Sequence, residues 1–328
     1  MAKLVSIITP CYNGAKYLDR YFQSLLAQTY PSIEVIFVND GSNDSTEEKA
    51  LSYGEELKAK GYGFIYIYQE NAGQSAAINQ GLKVFKGDYL NWTDADDYLS
   101  GDSVEKRVGF LEENPDVGLV IGSTVLVDEA DGREMAFLDA VKSNRLQPRE
   151  IIEDYLQGVF VNPCCSAMVR TSMFRDSMKN EMHIEEPREI GQNYQLFIPI
   201  ILNYPVNYIP DVTAYCVVHG DSHSHSRKSF EQKLHIQDVA TETLKSIAGR
   251  IKADEADRKW FIRKIEEYDG KNRLEILQHH KRSDGLREII SGLKDAGAYD
   301  SASRKMVLKI RYPFLKKIGD RLWRLRRR

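Results

Sequence analysis

Cysteine is scarce: the 328 residues hold only Cys11, Cys164, Cys165 and Cys216, with no CxxC pair and no zinc-finger spacing. That excludes a disulfide scaffold and a structural zinc module, and it reads as reduced thiols in a cytoplasmic protein, with Cys164-Cys165 as buried filler. Also missing is any apolar run long enough to cross a bilayer, and the first residues lack the basic, apolar and small-residue succession of a signal peptide. The expected location is therefore the cytoplasmic side. Nor is there an excess of positive charge. The 45 basic and 48 acidic side chains leave a net charge of -3, which argues against nucleic-acid binding. What the chain does have is 42% apolar residues, enough for one large α/β domain plus an extension.

Leu4 to Ile8 is apolar and β-branched, the pattern of a strand covered on both faces. Ala15 to Gln28 then places Leu18, Phe22, Leu25 and Leu26 at helical spacing. Further strands are expected at Ile33 to Val38, Phe64 to Tyr68 and Asp88 to Thr93, with a Glu-rich helix after Ser45 and another from Asn71-Ala72-Gly73 to Phe85. Alternation of this kind predicts right-handed crossovers and a mostly parallel sheet, in which ligands sit outside the carboxyl ends of the strands. The polar clusters Pro10 to Asn13, Asn39 to Ser42 and Asp94 to Asp97 each come just after a strand, so they should share one edge. Beyond them we expect a strand over Val117 to Val127, a helix over Arg149 to Leu156, an irregular apolar stretch at 161 to 169 and a helix over Gly191 to Leu202. Two strands are then expected, Val206 to Ile209 and Thr213 to His219. The domain boundary falls near residue 225. From Phe230 onward Lys, Glu, Arg and Leu predominate, with breaks at Gly270, Gly285 and Gly297 that imply several helices.

The cluster Asp94-Ala95-Asp96-Asp97 has two readings. Closely spaced carboxylates repel one another unless a cation offsets them, and hard cations such as Mg²⁺ or Mn²⁺ take such oxygen ligands together with substrate phosphates. The alternative is a helix start, with Asp94 as N-cap and the other acids favoured by the helix dipole.

Four segments, in order and correctly spaced, resemble the family 2 glycosyltransferases: Ser6 to Asn13, Gln28-Thr29-Tyr30-Pro31 with Glu34 to Ser42, Asn79-Gln80-Gly81 leading to Gly87-Asp88-Tyr89-Leu90, and Asp94 to Asp97 as the DxD motif. The resemblance implies a GT-A fold, Rossmann-like, with a mostly parallel sheet flanked by helices over residues 1–225, to which the composition adds a helical C-terminal extension over 226–328. It implies an inverting, metal-dependent transfer from a UDP-sugar, with a dTDP-sugar as second choice, to a hydroxyl of a glycan or lipid-linked saccharide. In the family picture Pro10 and Tyr12, beside Asn13, help form the uracil pocket. Asp40 accepts from the ring N–H, as an acceptor-only carboxylate can. Asp94, with Ala95, lies near the ribose or metal, and Asp96 coordinates Mn²⁺ or Mg²⁺ on the diphosphate. Asp97 holds the turn or caps the next segment. Asn71 and Asn79 are further donor-site candidates or amides that only fasten loops, Asp40 is alternatively a turn-stabilising Asx residue, and Trp92 belongs to the core.

One departure concerns the base. Where family members carry a Glu-Asp pair this sequence has Gln192-Asn193, and amides take no proton at neutral pH. Among the upstream acids Glu185, Glu186 and Glu189, the replacement candidate is Glu189; the alternative is a solvated loop. His219 and His223 lie in a segment that resembles a family loop closing over the diphosphate, where a His adds a metal ligand or donates to phosphate. The basic end, with Phe314, Leu315, Ile318, Leu322 and Leu325 at helical spacing, fits either an anionic membrane surface or a helix packed on the protein. Two rival functions remain: a nucleotidyltransferase, which lacks its Gly- and basic-rich triphosphate loop here, and a non-catalytic nucleotide-sugar or glycan-binding protein, favoured by Gln192-Asn193.

Overall fold

The structure, a computed structural model, describes residues 2–143, 147–158, 163–219 and 228–312. The chain divides into two compact units, residues 1–226 with 250–253, and residues 227–249 with 254–328.

In the first unit β1 (Val5–Cys11) and β2 (Ile33–Asp40) are buried along their whole length, which explains their unbroken apolar runs. They pair in parallel with each other, β3 (Gly63–Gln69) joins β2, and β4 (Tyr89–Trp92) joins the far side of β1. The crossovers are α1 (Ala15–Leu26), α2 (Thr46–Ala59) and α3 (Gln74–Val84). On α1 the spacing of Leu18, Phe22 and Leu25 does what it predicts, since all three are fully buried in a core shared with Val5, Ile7, Val35 and Phe37. Four parallel strands ending at one edge carry every loop that the sequence marks as polar.

The sheet continues through β5 (Tyr98–Leu99), β6 (Leu119–Asp128), β7 (Glu134–Leu138), β8 (Ala167–Arg170) and β9 (Val206–Val218). Its order is β3-β2-β1-β4-β8-β6-β9-β5, with β7 paired to β6 off this path. The two strands expected at 206–209 and 213–219 are one strand. Its pairing with β6 slips between Ile209 and Val212, around Pro210, which has no N–H to give the ladder. The helix α4 (Ser103–Glu113) has no counterpart in the sequence expectation, although Val104, Val108 and Leu111 bury one face of it. Three further helices come next, α5 (Pro148–Leu156), α6 (Thr171–Ser177) and α7 (Asn193–Asn203). Trp92 is a core residue as expected, 1% exposed and edge-to-face with Phe174 and Phe197.

The second unit contains α8 (Phe230–Arg250), α9 (Glu255–His280), α10 (Leu286–Asp295) and α11 (Ser301–Arg311), around a core that includes Leu274, Leu277, Leu286, Leu293 and Val307. The break expected at Gly270 does not occur. Helix α9 runs through it, because a Cβ there would lie 2.7 Å from two atoms of Leu293 on α10, so this glycine serves close helix packing. His223 and the basic end from Pro313 lie outside the described residues. Among the described residues no helix is long and apolar enough to cross a membrane.

Candidate active site

The loops after β1 and β2 are stitched together. Asn13, at φ 49°, donates its N–H to Ser42 Oγ at 2.9 Å and accepts from the Asn43 N–H at 2.9 Å. The Gly14 and Ala15 N–H groups reach Thr46 Oγ1 and Asp44 Oδ2. Asn13 therefore acts as a fastener, Pro10 is buried within β1, and Tyr12 stands 53% exposed at the lip.

Asp40 ends β2 and is 3% exposed. Its carboxylate accepts from Gln69 Nε2 at 2.6 Å, the Ala72 N–H at 2.8 Å and the Gly73 N–H at 2.9 Å. It thus pins the turn into α3, and of the roughly four acceptor positions of a carboxylate one remains. Gly73 holds a φ of 99° that other residues rarely adopt, and it turns the chain so that Gln74 opens α3. Gln74 Nε2 then donates to Asp94 Oδ1 at 2.7 Å. A continuous path of contacts, Asp40 to Gly73, the peptide to Gln74, and Gln74 to Asp94, joins the loop after β2 to the loop after β4.

At the end of β4 the carboxylate oxygens of Asp94, Asp96 and Asp97 gather within 4.8 Å of one another. The helix-start reading fails, since residues 93–97 form a turn before β5, closed by the Asp97 N–H on the Asp94 carbonyl at 3.1 Å. Burial, then the charge on Asp96, pushes Asp94 up to about 7. Burial, then Asp96 and Asp94, raises Asp97 well above the carboxylate range. Asp97 accepts from the Val217 N–H of β9 at 3.0 Å and so holds the turn against the sheet. Ala95 is 7% exposed, and its small side chain fills the space beneath. His219, just past β9, places Nε2 2.9 Å from Asp96 Oδ2, with its ring 5.4 Å from that of Tyr17. Three crowded carboxylates and one imidazole make a donor set suited to Mn²⁺ or Mg²⁺, and burial against like charge is what a cation would relieve.

The segment between α6 and α7 is tied to α3 and to the loop before it. Asn79, on α3, accepts from the Ile184 N–H at 2.9 Å and donates to the Ile184 carbonyl and Glu186 Oε1, both at 2.8 Å. Its amide is thereby committed to anchoring that segment. Arg188 reaches Asn71 Oδ1 at 3.1 Å and the Asn71 carbonyl at 2.5 Å. Glu185 lies 3.4 Å from Arg250, and Glu189 is exposed. Gln192 caps α7 with its side chain buried, and Nε2 lies 4.0 Å from Cys164 Sγ. Asn193 Oδ1 accepts from the Cys164 thiol at 2.6 Å. Burial, then Asp94 and Asp97, holds that thiol protonated. Cys164 thus meets both amides and lies within the electrostatic reach of Asp94 and Asp97. Gln74, Arg188 and Tyr17 went unmarked in the sequence, and Cys164, read there as buried filler, is instead a hydrogen-bond donor to Asn193. Only Gln74, at the start of a helix after a glycine turn, carried a signal.

Known proteins resemble the chain in sequence and in fold. The family described as Glycosyl transferase family 2 matches residues 6–177, which spans β1 through α6. An uncharacterised glycosyltransferase of Rickettsia typhi is 45% identical over 121 residues, a match covering 36% of each chain and so little more than a third of that relative's length. Glycosyltransferase GlyG of Streptococcus pneumoniae is 35% identical over 214 residues, covering 64% of this chain and 69% of that one. Among solved structures, Staphylococcus aureus TarS 1-349 in complex with UDP-GlcNAc superposes with a TM-score of 0.66 at 19% identity, over 96% of this chain and 88% of that one. The mannosyltransferase PcManGT from Pyrobaculum calidifontis, in complex with GDP-Man and Mn2+, gives 0.52 at 16%, over 98% and 88%. These two likenesses establish the fold, GT-A, and the family match and GlyG establish the lineage. With its loops meeting at one sheet edge and its motifs in register, the chain belongs to glycosyltransferase family 2.

Proposed function

We propose that the protein transfers a sugar from a UDP-sugar, or as second choice a dTDP-sugar, to a hydroxyl of a glycan or lipid-linked saccharide, with inversion and with a divalent cation. The observation that carries this reading is the run of contacts from Asp40 through Gly73 and Gln74 to Asp94, which sets Asp40 and the carboxylate cluster on one edge. The UDP-GlcNAc bound to TarS and the GDP-Man and Mn2+ bound to PcManGT support a nucleotide-sugar donor and a metal.

In this reading Pro10 and Tyr12 flank the base, and the remaining acceptor position of Asp40 takes the ring N–H. Asn13, Asn71 and Asn79 shape the pocket by fixing its loops. Asp94 and Asp96 hold Mn²⁺ or Mg²⁺, with His219 as a further ligand or phosphate donor. The cation, when bound, supplies charge stabilisation to the leaving diphosphate. Glu189 is the proposed base, because Gln192 and Asn193 are amides that take no proton at neutral pH. It takes the proton of the acceptor hydroxyl as that oxygen bonds to the anomeric carbon. The bond to the diphosphate breaks on the opposite face, its electron pair leaves with the diphosphate, and the configuration inverts.

The amides at 192 and 193 favour one other reading, a non-catalytic nucleotide-sugar binder. A panel of nucleotide sugars, assayed for transfer and hydrolysis with and without Mn²⁺, separates the two. Mn²⁺-dependent turnover of a UDP-sugar that disappears in Asp96→Asn is expected, and binding with no turnover would leave only the binder. The basic end is proposed to lie on an anionic leaflet. Deleting residues 313–328 is expected to abolish binding to phosphatidylglycerol liposomes, and undiminished binding would refute that attachment.

A further inference from the structure

The second unit carries a cavity of about 740 Å³ between α8, α9 and α11, which shares no residue with the carboxylate site. Its walls run along helical stripes: 233, 236 and 237 on α8, 272, 275, 276 and 279 on α9, and 306 and 309 on α11. Around it stand Lys228, Lys233 and Lys309, together with His279, against one carboxylate, Glu275.

These lysines differ from many others in the unit. Lys245, Lys259, Lys264 and Lys271 each meet a carboxylate within 3.3 Å. Lys228, Lys233 and Lys309 have no carboxylate partner among the described residues, although the first two are half-buried. An anion would supply the pairing partner that these lysines lack among the described residues. The field extends to His280, which is held below the ordinary imidazole value by burial and then by Lys233 and His279.

The rest of the wall is built for a polyhydroxylated ligand. Gln237, 5% exposed, donates to Thr241 Oγ1 and Asp269 Oδ1, both at 3.2 Å, and accepts from Asn272 Nδ2 at 3.0 Å. That network fixes Asn272 at the wall with its carbonyl oxygen available for a hydroxyl, while Glu275 offers another acceptor. Ile236, Ile276 and Met306 give the apolar surface on which the C–H face of a sugar rests. Lysine acts on phosphate as a compact point charge without arginine's planar fork, so three of them around a pocket suit a tetrahedral phosphate ester. The volume lies in the range of small-ligand sites.

We propose that this cavity binds a phosphorylated saccharide, its phosphate among Lys228, Lys233 and Lys309 and its hydroxyls on Asn272 and Glu275. The proposal stands on the cavity and is independent of the transferase reading. The test uses the full chain with glucose 6-phosphate, inorganic phosphate and glucose as probes, followed by titration calorimetry and by the Met306 methyl resonance, assigned through Met306→Leu. Glucose 6-phosphate should move that resonance and bind more tightly than inorganic phosphate, and glucose should not bind. Lys233→Gln with Lys309→Gln should weaken glucose 6-phosphate at least tenfold without changing the melting temperature, Lys233→Arg should retain it, and Asp96→Asn should leave it unaltered. A stationary Met306 signal, or equal affinity in the double-glutamine variant, overturns the site. Inorganic phosphate binding as tightly as the sugar phosphate overturns the saccharide part.

Discussion

At the scale of single residues the site is a set of polar side chains, each held by a second one. Gln74 is the clearest case, since its amide is the contact that ties Asp94 to the start of α3. Replacing it with leucine should leave the fold intact and weaken Mn²⁺ binding by roughly 10- to 100-fold, the usual cost of losing a partner behind a metal ligand. Calorimetric titration with Mn²⁺ checks this. If Glu189 is the base, Glu189→Gln should lower transfer by about 10²- to 10⁴-fold while donor affinity stays within twofold. Unchanged transfer would move the base elsewhere. The residues read from sequence as donor contacts divide accordingly: Asp40, Asn13, Asn71 and Asn79 are visibly engaged in fixing loops, whereas Tyr12 faces solvent at the lip. A motif names residue types but not their partners. For that reason the spacing of these residues was legible, while the loops and partners they fasten were not.

At the scale of elements, Gly270 was read as a break and residues 206–219 as two strands, and packing reversed both readings. Gly270 sits in mid-helix, where intrinsic propensity alone says alanine should stabilise by about 1 kcal/mol. The contact with Leu293 predicts the opposite sign, a loss of about 1 kcal/mol or more in chemical denaturation, since overpacking typically costs about 1–3 kcal/mol. Pro210 likewise bulges β9 instead of dividing it. The helix α11 shows the pH dependence expected of a cap. The Ser303 N–H, and then Lys271 more weakly, holds Asp300 down to about 2. A carboxyl depressed in the folded state stabilises above its unfolded pKa, near 4, and that stability is lost as the pH falls toward about 2. Asp300→Ala should therefore cost about 1 kcal/mol at neutral pH and nothing below about pH 2, measured by urea denaturation across that range.

At the scale of the whole molecule, donor binding should be visible as stability. A UDP-sugar at a hundred times its Kd, with Mn²⁺, should add about 2.7 kcal/mol to the native state, and the shift in Tm should vanish in Asp96→Asn. The sequence by itself determined the alternation of strand and helix, the parallel core of β1 to β4 and the edge on which the polar loops fall, because burial on both faces writes a continuous apolar run and a crossover helix writes its 3.6-residue stripe. It determined the family for the same reason, as motifs at strand ends survive in order. Only the tertiary structure decided that Asp40 reaches Asp94 through Gln74, that Cys164 donates to Asn193 and that three lysines with no carboxylate partner among the described residues ring one cavity. Those contacts connect residues from about 20 to about 80 positions apart. No local periodicity records which distant side chains the packing of layers will bring within hydrogen-bond reach.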